Sequence, residues 1–336
     1  MYNIEFRKFN DDDFSNSPAC FKEDFNGENV RLIRHDNCGM LNLEDEHLYY
    51  FHNMDEYSSR WSGLIRLGDT PLSLQKSIGI KLCQNEKLKD KYGVISNEPL
   101  VYGIECNGSV PFKFEYLKEG CHLIDGDVLD VKGEWFPYGL ICHLKSEYNI
   151  PFMHLPVHLK GTYKGQNIEF LACIDRIFSP VGKEMEIIKN ATSYISSYCS
   201  GIREDGRREW LLGLICHENG KGLGIYWIDG EEPIISNQIT NKGIWEKLPY
   251  VDDDTVVCVD NIWEFGGKTF HIKGKWGSKG FVDTPRLDRH GQSQIFGTWY
   301  EGEEEYHHRL YNTFNENMDA YYTSMIKRGF KVKEGE

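Results

Sequence analysis

The segment TFHIKGKW, residues 269–276, alternates apolar and polar side chains without a break. Phe270, Ile272, Gly274 and Trp276 share one face, and Thr269, His271, Lys273 and Lys275 share the other. A period of two marks a half-buried strand. Gly266-Gly267 stands just before it and suits a tight hairpin, because positive φ costs glycine least. The same pairing of turn and strand recurs outward along the chain. Asn26-Gly27, Asn107-Gly108, Asp125-Gly126, Asp205-Gly206, Asn219-Gly220 and Asp229-Gly230 punctuate runs such as VYGIE, FKFEYL, IEFLACI, LGIYWI and TVVCVDNIW. Many short strands at such spacing predict an all-β chain of barrels or sandwiches.

Helical signals are few. Thr70-Pro71 reads as an N-cap with Pro at the first helical position, opening a Lys-rich stretch toward Tyr92 that Gly79 weakens. Near the C-terminus, Met318, Tyr321, Tyr322, Met325 and Ile326 follow helical spacing, Lys327 and Arg328 fill the last turn, and Gly329 sits at C′. A C-terminal helix is expected within 312–330.

The chain nearly repeats itself: EWFPYGLICH at Glu134–His143 and EWLLGLICH at Glu209–His217. A zinc site wants Cys and His at chelating spacings. Here Cys142 is adjacent to His143, and Cys216 to His217, so on a strand each pair points to opposite faces. The same geometry opposes a nucleophilic Cys–His pair. The repeat therefore reads as two equivalent strands whose Ile or Leu and Cys pack inward, with His143 and His217 half-exposed or hydrogen-bonded near a rim.

With 336 residues the chain suits about two domains. It is 40% apolar and 27% charged, a globular balance. A net charge of −14 argues against nucleic acid and anionic lipid as partners. The start, MYNIEFRKFNDDDF, has no basic region followed by an apolar one, and no apolar run approaches a membrane span. Ten scattered cysteines in a chain of this length read as reduced, buried thiols. The expected location is cytoplasmic. No P-loop, dinucleotide fingerprint, G-x-S-x-G elbow, H-E-x-x-H or EF-hand loop occurs, so no cofactor is expected.

Two His-bearing stretches bear on metal binding. In HLPVH, Pro156 breaks a helix, and on a strand His154 and His158 stand about 13 Å apart, too far for one ion. In EEEYHH, Glu303, Glu305 and His307 share a face, which reads first as a solvated edge and leaves a metal open. Glu134, Glu209, Asp229, Glu264 and Glu301 lie beside or near aromatic residues, so paired carboxylates for glycoside chemistry also stay open.

The stretch HLPVHLKGTYKGQNIEFLACIDRIFSPVG, followed by GIREDGRREWLLGLICHENGKGLGIYW, resembles the middle of the tandem lipocalin-like family of carotenoid 1,2-hydratases, AttH-like proteins and fungal Diels–Alderases. That family places a glycine-bearing strand before an Asp-His-x-Trp element; Gly161 and Gly165 supply the glycines here at closer spacing, and Asp175-Arg176-Ile177-Phe178 stands at the element. The match covers about a quarter of the chain. Asp175 agrees, whereas Arg176 replaces the hydratases' catalytic His and Phe178 their Trp, which puts carotenoid hydration in doubt. Tyr194 and Tyr198 stand in for the family's downstream Tyr. The resemblance implies two lipocalin-like β-barrels, 1–180 and 181–311, and a cavity near their join for an apolar or amphipathic small molecule. Catalysis there would be cofactor-independent cyclisation, isomerisation or hydration, with Asp175, Tyr194 or Tyr198 handling the proton. Arg176, Phe178, Trp135, Trp210, Trp227, Trp299 and His217 are the expected ligand contacts. A carbohydrate-active protein using Glu209 or Glu301, and a carrier without chemistry, are the rival readings.

Overall fold

In the computed structural model of this chain the described residues are 3–15, 30–43, 47–55, 60–67, 91–106, 108–144, 150–180, 194–217, 220–247, 254, 256–274, 281–282, 293–295, 297–302, 304–305 and 308–333. The chain divides into two compact units. The first comprises 1–44, 48–65 and 78–190, and the second 45–47, 66–77 and 191–336, so the division is not a single cut. Residues 181–193, where the expected domain boundary falls, lie outside the described residues, as does the expected helix after Thr70-Pro71.

Twelve strands form one sheet around the first unit. They are β1 (Asn3–Lys8), β2 (Val30–Asn42), β3 (His47–Asp55), β4 (Arg60–Leu67), β5 (Lys91–Asn97) and β6 (Leu100–Cys106). Then follow β7 (Ser109–Tyr116), β8 (Gly120–Asp125), β9 (Leu129–Trp135), β10 (Tyr138–Leu144), β11 (Ile150–Tyr163) and β12 (Gln166–Pro180). Their order is β4-β3-β2-β12-β11-β9-β8-β7-β6-β5, with β10 beside β11 and β1 beside β10. Alternation decides which side chains turn inward: Met153, Leu155, Val157 and Leu159 from β11 meet Phe170, Ala172, Ile174 and Phe178 from β12 in one buried core. A bulge in β2 near Ile177 and Phe178 of β12 resets the parity, so Leu32 and His35 both face inward. His35 then lies against Tyr102 and Phe114, 5.3 and 4.6 Å between ring centres, so the sheet curls until β2 faces β6 and β7 across the interior.

The second unit begins with β13 (Tyr194–Arg203), β14 (Arg208–Cys216), β15 (Gly222–Ile228) and β16 (Ile234–Ser236). It continues with β17 (Ile239–Asn241), β18 (Ile244–Lys247), β19 (Val256–Phe265), β20 (Lys268–Gly274), β21 (Phe281–Val282) and β22 (Ser293–Ile295). It closes with β23 (Gly297–Glu301), β24 (Glu304–Glu305), β25 (His308–Asn317), α1 (Tyr322–Lys327) and β26 (Lys331–Lys333). Two sheets result, β16-β15-β14-β13-β25-β22-β21 and β24-β23-β20-β19-β18-β26, the latter with β17 on β19. Ile195, Cys199 and Leu211 of the first pack with Trp263, Phe270, Ile272 and Trp299 of the second. Gly213 is required at this seam, because a Cβ there would meet the Trp263 ring at 2.4 Å.

The all-β expectation holds, with its C-terminal helix. In the opening segment Phe270 and Ile272 are fully buried while Lys273 is exposed. The helix is shorter than 312–330, because β25 runs through Asn317 and α1 covers only six residues. Gly329 follows its end at φ +86°, as a C′ residue should.

The near-repeat does not make two equivalent strands. In the first copy Phe136 and Pro137 separate β9 from β10, whereas the second runs unbroken in β14. The spacer between Glu-Trp and Gly-Leu-Ile is one residue longer in the first copy, and one residue inverts every side chain on a strand. Glu134 is accordingly exposed and Trp135 joins the core, while Glu209 is buried in the second unit's interior. The side chains of Cys142 and His143 lie outside the described residues. Ile215 packs on the core, Cys216 is buried on the opposite face, and His217 is half-buried in the turn beyond.

Candidate functional site

The first unit's interior holds a band of polar side chains among aromatic rings. Its anchor is Arg176, inward-facing on β12 and fully buried. The N-terminal sequence NDDDF builds the receptor for this guanidinium. Asn10 caps a short 3-10 turn, Asp11–Phe14, by accepting from Asp12 N at 3.0 Å, and Asp13 returns the contact to Asn10 N at 2.7 Å. Arg7 grips the buried Asp13 carboxylate with two bonds of 2.8 and 2.7 Å. Held this way, the turn presents two carbonyls inward, and Arg176 donates to Asp13 O and, at 2.6 Å, to Ser15 O. The guanidinium also lies 4.6 Å from the Tyr116 ring centre and 5.0 Å from that of Phe178. Tyr116 stacks on Trp135 at 6.1 Å, and Trp135 on Phe14 at 5.3 Å. Trp135 is fixed in turn by donating Nε1–H to Leu117 O at 2.9 Å.

Asn37 lies two residues beyond His35 on β2, facing inward opposite Ile174. It is fully buried, and neither amide atom has a hydrogen-bond partner among the described residues. The Tyr116 hydroxyl and Asp125 Oδ1 share that condition. Asp125 closes β8, and Tyr50 donates to its Oδ2 at 2.9 Å. Burial pushes the Asp125 carboxyl up to about 7, against the lowering effect of the Tyr50 bond. Burial likewise drives the Tyr50 hydroxyl upward, reinforced by the Asp125 charge. This pair can hold or release a proton near neutral pH inside an apolar enclosure.

Of the residues picked from sequence, Arg176, Phe178 and Trp135 come together here, joined through Tyr116. Asp175 does not, because its neighbour Arg176 takes the inward face. Asp175 instead faces outward, half-buried, with His154 Nδ1 2.6 Å from its carboxylate. The other candidates belong to the second unit. The Tyr194 hydroxyl donates to Glu316, and the Tyr198 ring lies 6.3 Å from Phe314. Trp210 and Trp227 are buried directly opposite one another on β14 and β15. Trp299 is in the core, stacked on His308 at 4.8 Å. His217 lies edge-on to Phe330 at 6.4 Å, and burial, aided by the Arg328 charge, lowers its pKa to about 4.

Sequence reasoning missed His35, Asn37, Tyr50, Tyr116 and Asp125. The pair Asp125-Gly126 signals a turn and nothing more, and Gly126 does take φ +57° there. The one available signal was the four successive polar residues Arg34 to Asn37 of RHDNCGM, where alternation should have placed apolar ones on one face.

The carboxylates weighed for glycoside chemistry are committed elsewhere or exposed. Buried Glu209 accepts from Arg203 at 2.9 Å, Tyr226 at 3.0 Å and His308. Burial would raise its pKa, yet the bonds from His308 and Arg203 hold it below the usual carboxylate value. Asp229 binds Arg208, Glu264 binds Lys242 and Thr240, and Glu301 binds Lys268. His154 and His158 stand on one strand, and His158 pairs with Glu169 at 2.7 Å. Among the described residues no cluster of His, Cys, Asp and Glu could hold a metal; Glu303 and His307, and the side chain of Glu305, lie outside them. No described helix is long and apolar enough to cross a membrane.

With this geometry in place, solved structures give the fold a relative. A Nitrosomonas europaea protein described as an AttH superposes with a TM-score of 0.50 at 10% identity, covering 87% of this chain and 93% of that one. The chain shares the AttH fold. That is the lipocalin-like group the sequence resembles. Looser likenesses are kievitone hydratase from Nectria haematococca, with a TM-score of 0.38, 8% identity and coverage of 86% and 89%, and CghA with Sch210972, with 0.41, 10%, 85% and 88%. No family model and no curated protein matches the chain.

Proposed function

We propose that the first unit binds an amphipathic small molecule in its interior and, through Asp125 and Tyr50, moves a proton on it without a cofactor. The observation that carries this reading is the set of buried polar atoms with no hydrogen-bond partner among the described residues: both amide atoms of Asn37, the Tyr116 hydroxyl and Asp125 Oδ1. Leaving such groups unmade costs about 1–3 kcal/mol each, so a fold that keeps several in one interior gains only if something binds there. The surrounding rings of Phe112, Phe114, Trp135 and Phe178 suit the apolar body of that molecule.

The chemistry follows from placement. Arg176 and Asn37 hold an oxygen of the substrate, and their fixed dipoles stabilise negative charge that develops on it. Asp125, as the carboxylate to which Tyr50 donates, takes a proton at Oδ1 from a carbon further along the molecule, is the neutral acid in between, and returns the proton to another carbon. That step is an isomerisation; in a hydration protonated Asp125 gives its proton to one carbon and regains one from the water that adds at the next, and a cyclisation needs only the enclosure that holds the substrate in one reactive conformer. Asp175 faces away from this interior and has no part in the step.

The test is extraction of the purified protein with organic solvent, followed by mass spectrometry, for the wild type and Asn37→Leu. A stoichiometric compound bearing an oxygen function in the wild type, reduced at least tenfold in the variant, is expected. The same compound at equal occupancy in both proteins would remove Asn37 from the site and with it the reading.

A further inference from the structure

A second set of unmatched polar groups lies inside the second unit, with a different chemistry. Ser197 on β13 accepts from Asn261 at 2.9 Å and from the Trp263 indole at 2.8 Å, and donates to Asn315 Oδ1. Asn261 also reaches Asn315 Oδ1 at 3.2 Å, and Asn241 donates to Asn261 Oδ1. A run of neutral amides thus ties β17 and β19 of one sheet to β13 and β25 of the other. The run ends unsatisfied. Asn315 Nδ2 and both amide atoms of Asn317 have no hydrogen-bond partner among the described residues, although both side chains are fully buried. They stand two residues apart on β25, opposite Ser197 and Ile195, so both face the core about 7 Å apart.

Nothing about packing requires this. An apolar side chain at Asn317 would bury without a desolvation penalty, as the facing Ile195 does, whereas Asn315 Oδ1 is needed by Ser197 and Asn261. The groups left over at Asn315 and Asn317 are two amide donors and one amide acceptor, Asn241 Oδ1 at the far end of the run is unmatched as well, and the run has no charged side chain. An ion entering here would lose its hydration with no opposite charge to meet it. A hydroxyl or an amide can accept from Asn315 and Asn317 and donate to Asn317 Oδ1. We infer that the second unit carries its own site, on Asn315 and Asn317, for an uncharged molecule bearing a hydroxyl or amide group. This site is separate from the one proposed in the first unit and uses no proton transfer.

The experiment is a titration of the full-length, 15N-labelled protein, following the side-chain NH2 signals of Asn315 and Asn317 by NMR. The probes are cyclohexanol and N-methylacetamide, with sodium acetate as the charged control. Saturable shifts with the neutral probes and none with acetate are expected, and Asn317→Leu should abolish them. The same variant should raise the thermal midpoint by roughly 2–6 °C, because it replaces an unmatched amide with an apolar group. Unchanged signals with both neutral probes would overturn the proposal. A lowered midpoint, as when a buried water completes the amide network, would overturn it equally. Signals from Asn37 in the same spectra report on the first unit independently, so either site can fail alone.

Discussion

Asp125→Asn isolates the group on which the proposed proton transfer depends. Free in an unfolded chain, this carboxyl titrates at 3.8, and in the folded protein burial lifts it to about 7. Below pH 3.8 it is protonated in both states and folding gains its full stability. Between 3.8 and 7 the unfolded chain releases the proton while the native protein keeps it, so stability falls as pH rises. Above 7 both states are ionised and the loss is complete. The interval of 3.2 units, at about 1.36 kcal/mol per unit, amounts to about 4 kcal/mol. Asparagine has no such titration, and its carbonyl can still accept from Tyr50 as Oδ2 does at 2.9 Å. The variant should therefore match the wild type within about 1 kcal/mol near pH 4 and exceed it by about 4 kcal/mol at pH 8. Urea denaturation of both proteins across this range reads the difference, and other titrating groups cancel between them. A difference that stays flat from pH 4 to pH 8 would refute an interior carboxyl near neutrality, and the proton transfer with it.

Other perturbations probe separate parts of the account. Arg176→Met strands two carbonyls and loosens the N-terminal turn, at a cost of about 2–4 kcal/mol measurable by denaturation, with earlier proteolysis ahead of Phe14. Glu209→Gln weakens a buried four-residue network around His308, and a loss of about 3–5 kcal/mol is expected; a change under 1 kcal/mol would mean that the network is slack. Gly213→Ala drives a methyl into Trp263 and should cost about 1–3 kcal/mol, with a shifted tryptophan emission as the second readout. The pKa of His217 falls from 6.5 to about 4 on folding, so its stabilising contribution is present above pH 6.5 and is lost as pH falls toward 4. His217→Gln should flatten acid sensitivity in that window, as followed by thermal midpoints.

Local pattern carried the fold, because alternation and turn chemistry are written in neighbouring residues. Thr269 to Gly274 of TFHIKGKW lie in β20 as their period promises, Lys275 and Trp276 falling outside the described residues, and Asp125-Gly126, Asp205-Gly206 and Gly266-Gly267 make turns. The repeat misled for a physical reason: one extra residue before Gly139 reverses which of Glu and Trp faces inward, and similarity by eye ignores parity. The site was less legible still. Tyr50 meets Asp125 across 75 residues, and Arg176 reaches back 163 residues to Asp13. No spacing rule joins such pairs; only the curl of the sheet does. Arg176, Phe178 and Trp135, expected from the family resemblance and a tryptophan count, lie together in the first unit, whereas Asp175 turns to the other side because adjacent residues on a strand take opposite faces.

The most direct test of the central claim is a crystal structure of the protein with its extracted compound bound. The molecule is expected inside the first unit, with an oxygen within hydrogen-bond distance of Asn37 and of the Arg176 guanidinium, and a carbon facing Asp125 Oδ1. A molecule bound elsewhere, with ordered water completing Asn37 and Tyr116, would contradict it.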